Sequence, residues 1–106
     1  MKLITKEIEK RLEKFPIYSQ DGKGEDATIV CKFFCPINPW TWYVLEGQKM
    51  DDGDYELYGL VINGHGEREY GYFMLSELQE IKLPFGLGIE RDIYFSPSKV
   101  KDVINS

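Results

Sequence analysis

The chain has 106 residues, 42% of them hydrophobic and 29% charged, with a formal net charge of −5. That length supports one hydrophobic core and excludes two, so a single domain is expected over 1–106. The acidic balance argues against direct binding to nucleic acid or anionic membrane, since both need a basic patch. Met1 to Glu7 lacks the apolar run of a signal peptide, and no segment approaches a membrane span. A cytoplasmic protein is expected.

Residues Thr5 to Phe15 read as a helix. Thr5 is the N-cap, Glu7 suits the positive end of the macrodipole, and Pro16 ends the run. Ile4, Ile8, Leu12 and Phe15 form one apolar stripe, which predicts packing of this helix on a sheet. Gln20 to Asp26 is a polar turn, and Ala27 to Cys35 reads as a strand. Pro36 and Pro39 bracket a rigid connection to a strand over Trp40 to Glu46, which an acidic loop over Gly47 to Asp54 follows. Tyr55 to Ile62 and Glu69 to Met74 are two further strands, joined through a turn at Asn63 to Glu67 that contains an Asn-Gly hairpin signal. Ser76 to Gln79 has the form of a capping box and predicts a short helix to about Ile81. Leu83 to Gly88 is a loop, and Ile89 to Phe95 a fifth strand or extended segment. Ser96 and Pro97 predict the start of a last helix ending near Ile104. The expected fold is α+β: an antiparallel sheet of four or five strands, the N-terminal helix on one face and short C-terminal helices.

Both tryptophans lie two residues apart in Trp40-Thr41-Trp42-Tyr43-Val44-Leu45-Glu46. In an extended strand alternate side chains share a face, so Trp40, Trp42, Val44 and Glu46 are expected together. By the same parity Ile89, Arg91, Ile93 and Phe95 share a face, placing one arginine among apolar neighbours. A buried guanidinium needs a partner. Glu46 is the natural candidate, with Glu69 and Asp92 as others; Arg91 would fix register through that pair, bind an anionic ligand in an aromatic cleft, or be a plain surface arginine. Cys31 and Cys35, four apart in one strand, are separated by roughly 13 Å, beyond the ~7 Å a disulfide tolerates. They are expected to be free core thiols on a face with Ile29 and Phe33. No metal site or cofactor is predicted, because one histidine and two cysteines lack ligand spacing.

The motifs Lys32-Phe33-Phe34, Pro36, Trp40-Thr41-Trp42-Tyr43, Glu46, Tyr58-Gly59-Leu60-Val61, Gly71-Tyr72-Phe73, Ser76-Glu77-Leu78 and Gly88-Ile89-Glu90-Arg91-Asp92 span Leu3 to Pro97. Together they resemble a family of short bacterial proteins known only as a domain of unknown function. The resemblance implies a free-standing bacterial domain, an accessory product of plasmids and other mobile elements, and supplies no catalytic residues.

Three functional classes follow. A protein-binding module would use Trp40, Trp42, Tyr43, Glu46, Tyr72 and Arg91 on an aromatic and acidic surface, and another protein is the expected partner. An acidic inhibitor of a nucleic-acid enzyme would need carboxylates aligned on one face. A small enzyme would need Glu46, Arg91 and His65 to converge, although His65, between two glycines, reads as a solvated turn residue. The acidic run Met50 to Asp54 lacks calcium-loop spacing and reads as a solvated turn.

Overall fold

The structure is a computed structural model that describes residues 1–104. Among the described residues three α-helices, α1 (Lys6–Glu13), α2 (Leu75–Gln79) and α3 (Val100–Ile104), accompany seven strands. These are β1 (Thr28–Ile29), β2 (Cys31–Phe34), β3 (Thr41–Lys49), β4 (Tyr55–Ile62), β5 (Arg68–Met74), β6 (Glu90–Arg91) and β7 (Ser98–Lys99). Five of the strands form an antiparallel sheet in the order β5-β4-β3-β2-β6, and β1 pairs with β7 in a separate ribbon. The α+β class, the antiparallel sheet and the N-terminal helix on one face are as the sequence predicts.

α1 starts where its cap dictates: the Thr5 hydroxyl accepts the Ile8 N–H at 3.2 Å. Ile8 and Leu12 are buried with Leu3 and Ile4 against Phe33, Val44, Leu57 and Phe73 of the sheet, and Leu75 and Leu78 of α2 join them. Burial of each such Ile or Leu stabilises the fold by roughly 1.5–3 kcal/mol. The Tyr55 hydroxyl donates to Glu9 at 2.6 Å, fastening α1 to β4. On the opposite face, Ala27, Ile29, Leu45, Leu60 and Val100 form a second cluster under the β1–β7 ribbon and α3. The sheet is thus covered on both sides, but only in part.

Several boundaries differ from expectation. The strand predicted over Ala27 to Cys35 is two strands, because the chain changes sheets at Val30. Ile29 consequently packs in the second cluster, while Cys31 and Phe33 lie in the first. Ser76 does not cap α2. Its N–H is inside the helix and donates to Asp54 Oδ1 at 3.1 Å, while Glu77 accepts the Met74 N–H. The acidic turn therefore contributes a cap from across the sheet end. Ser96 and Pro97 do not open α3 either; they precede β7, and Asp102 accepts the Lys99 N–H at the helix start. In the Asn63–Glu67 turn the left-handed residue is Gly66, at φ 80°, rather than Gly64. Only Glu90 and Arg91 of the predicted fifth strand are paired, so its alternation does not extend to Ile93, which is exposed.

Cys31 and Cys35 are free and buried, as predicted. Burial pushes the Cys31 thiol up from 9.0 to about 12, with small opposing contributions from Arg11 and Arg91. Thiol titration is expected to find two groups after denaturation and few before. Because the folded value lies above the unfolded one, the associated stability is intact below about pH 9 and is lost as pH rises toward 12. An alkaline unfolding series checks the sign.

Candidate functional site

β3 carries the feature that arranges the surface. Val44 pairs with Gly59 and Glu46 with Tyr58, so Leu45 is an extra residue, a β-bulge. Val44 stays on the α1 side while Leu45 enters the second cluster. Gly47, next in line, faces Leu12 and Leu57. Glu46 therefore shares the α3 face with Tyr58, not the Trp42 face that strict alternation predicts.

Glu46 is 1% exposed. Its carboxylate accepts the Tyr18 N–H and the Gln20 N–H, each at 2.8 Å. Gln20, also buried, donates through its side-chain amide to the Thr28 and Leu45 carbonyls at 2.7 and 2.9 Å and accepts the Thr28 N–H at 2.7 Å. This network staples the loop after α1 to β1 and to the bulge. It also holds Tyr18 at φ 74°, a left-handed conformation unfavourable for a side chain of this size.

The expected Glu46–Arg91 pair does not form. Arg91 pairs with Phe33 on the opposite edge of the sheet and on the α1 side, and its guanidinium donates to the Lys2 carbonyl. His65 is exposed at the turn tip, its N–H on Asn63 Oδ1 at 2.9 Å. The Glu46/Arg91/His65 constellation is thus dispersed over three places. Of the surface acids, Glu7, Glu9, Asp26 and Asp92 are each paired with a lysine or arginine.

What the structure does bring together surrounds β5. β5 ends the sheet and pairs only with β4. The hairpin sets which of its groups are free. Asn63 N–H bonds the Glu67 carbonyl at 3.0 Å, so Glu69, Gly71 and Phe73 are the hydrogen-bonded partners of β4. The N–H and C=O groups of Arg68, Tyr70 and Tyr72 then point outward along an open edge. The Met74 N–H, next in that series, is already taken by Glu77.

Both sides of this edge are aromatic. On the α1 side, Trp40 and Trp42 stack with centroids 5.7 Å apart, as their spacing predicts, and with Val61, Glu69, Gly71 and Phe73 they line a groove of about 460 Å³. On the other side, Tyr58 lies between Tyr72 at 4.8 Å and Tyr70 at 6.3 Å. Tyr72 is 52% exposed, and Tyr18 is one of the neighbours acting on its hydroxyl. A second groove, of about 390 Å³, runs beside Tyr58 and Tyr70 over Gln20, Asp21, Leu45 and Glu46. Desolvation first, then the nearby Glu46 and Asp21 charges, raises the Tyr58 hydroxyl above its usual range; Tyr72 is raised by desolvation, Tyr18 and the same carboxylates. Desolvation, Tyr58 and Glu25 raise Tyr70, against an opposing effect of Arg68. All three stay neutral phenols at physiological pH.

Of the predicted site residues, Trp40, Trp42 and Tyr72 thus meet at one edge. Tyr43 does not; it is half-buried on the α3 face against Phe95, with the Lys32 ammonium 5.7 Å from its ring. Tyr18, Tyr58 and Tyr70 are additions. The alternation Tyr70-Gly71-Tyr72 was the available signal for part of this cluster, whereas nothing in the sequence joins Tyr18 to it.

Among the described residues, no helix is long and apolar enough to cross a membrane. Neither the curated proteins nor the solved structures contain a match to the chain. Its residues 3–102 match the sequence model of a protein family of unknown function, DUF2958, and the chain belongs to that family.

Proposed function

We propose that the protein is a protein-binding accessory module of mobile bacterial DNA, and that it takes an extended segment of its partner as an added strand along β5. The observation that carries this reading is the seven-residue open edge with exposed aromatic side chains on both faces. Soluble proteins ordinarily blunt such an edge by shortness, charge or cover. The other edge, β6, is blunted in this way: it is two residues long and overlaid by Met1 and Lys2. β5 instead offers the outward Arg68, Tyr70 and Tyr72 groups, with Gly71 leaving space in the groove beside them. An added strand would receive main-chain hydrogen bonds from the edge and place alternate side chains in the two grooves.

Tyr70→Lys and Tyr72→Lys place charge on exposed positions of the edge and are expected to leave the fold intact by circular dichroism. Both should release the partner that the wild-type protein retains from its host. Binding should also protect the Arg68, Tyr70 and Tyr72 amides from hydrogen exchange. A partner that leaves those amides unprotected, or that the lysine variants retain fully, refutes the edge reading.

A further inference from the structure

We propose that the tyrosine-lined groove on the α3 side of β5 binds the cationic side chain of an arginine in the partner's extended segment. The inference rests on the edge reading and names the chemistry of what that edge recognises. Tyr58 and Tyr70 line the groove with stacked rings, and Tyr72 packs on Tyr58 beside it. Neutral phenol rings present negative π-faces that attract a guanidinium or ammonium group. A guanidinium also stacks flat on such faces and donates to carboxylates in a fork, which an ammonium cannot do.

Charge in the groove has one sign. Asp21 and Glu46 line it, and no lysine or arginine does. Lys23, in the adjacent loop, has its ammonium over the Phe15 ring instead, 5.9 Å from the centroid. Glu46 has both oxygens engaged by backbone N–H groups, which satisfies its hydrogen bonding but leaves its charge without an ion-pair partner among the described residues. Arg68 acts electrostatically on Tyr70 but lines the tryptophan groove, not this one. Geometry links the groove to the edge. Tyr70 and Tyr72 belong to the outward-bonding set, and their side chains lie on the α3 face. Every second side chain of an added strand therefore falls on that face as well.

The test uses the intact protein and two probes, N-acetyl-arginine amide and its neutral isostere N-acetyl-citrulline amide, followed by NMR. The arginine probe should shift Tyr58, Tyr70 and Tyr72 resonances saturably, with at least tenfold weaker binding of the citrulline probe. Asp21→Asn, an exposed change that leaves the fold intact, should weaken the arginine probe several-fold, and 0.5 M salt should weaken it further. Equal binding of the two probes, or shifts confined to other residues, overturns the cation site while leaving the strand-addition reading to its own hydrogen-exchange test. A second copy supplying its Arg68 is the rival occupant. Sedimentation showing a dimer that Arg68→Ala dissociates would overturn a distinct arginine-bearing partner.

Discussion

Gly59→Ala is expected to cost about 4 kcal/mol or more, enough to leave little folded protein at ambient temperature. A Cβ at this position would lie 1.9 Å from the Tyr43 carbonyl oxygen and 2.9 Å from its carbon. Both are backbone atoms of the neighbouring strand, so no rotamer change relieves the overlap. The bulge at Leu45 explains the close approach, since it draws β3 across its partner at the Val44–Gly59 pair. The control lies directly across the sheet. Gly71 pairs with Gly59 on β5, yet a Cβ there meets nothing within 4 Å. Gly71→Ala should therefore be neutral or stabilising by roughly 0.5–1 kcal/mol, through reduced unfolded-state entropy. Denaturant midpoints for the two variants check the contrast, and similar values would show that the bulge does not control this approach. Gly71→Ala also fills part of the groove beside the edge, so it can weaken partner binding while improving stability.

The fold was legible in the sequence because its strongest signals are local and periodic. The Ile4, Ile8, Leu12 stripe, capped by Thr5 and stopped by Pro16, needs no knowledge of the rest of the chain. The strands around Trp42, Leu57 and Phe73 similarly announce themselves by alternation. Alternation fails where the backbone departs from it by one residue. A single inserted residue at Leu45 carries Glu46 to the other face, which separates it from Trp42 and from Arg91 at once. Caps supplied from a distance are equally silent. Ser76 reads as a cap because its sequence fits, but the bond is made by Asp54 from another turn. The candidate site was half legible for the same reason. Trp40, Trp42 and Tyr72 stand out by residue type, whereas Tyr18 is placed beside this cluster by a left-handed backbone that a buried carboxylate holds.

That carboxylate is the second residue on which a large effect is expected. Glu46→Ala removes the acceptor for two backbone donors, Tyr18 and Gln20, the second of them fully buried. Each stranded donor costs about 1–3 kcal/mol, so a loss of roughly 3 kcal/mol is expected. Glu46→Gln should recover only part of this, because its amide keeps one acceptor oxygen and turns N–H groups toward the second donor. Arg91→Ala, which breaks an exposed bond to the Lys2 carbonyl, should cost only about 1 kcal/mol. The ranking separates the network seen here from a Glu46–Arg91 ion pair, in which both alanine variants would be comparably severe. A further measurement joins stability to the surface. Without Glu46 nothing offsets the strain at Tyr18, so its backbone should relax and its side chain should leave Tyr72. Loss of amide protection at Tyr18 and Gln20, together with a shifted Tyr72 ring resonance in Glu46→Gln, would establish that a fully buried acid sets the shape of the exposed tyrosine cluster. An unchanged Tyr72 environment in that variant would confine Glu46 to the core and leave the cluster to hold itself.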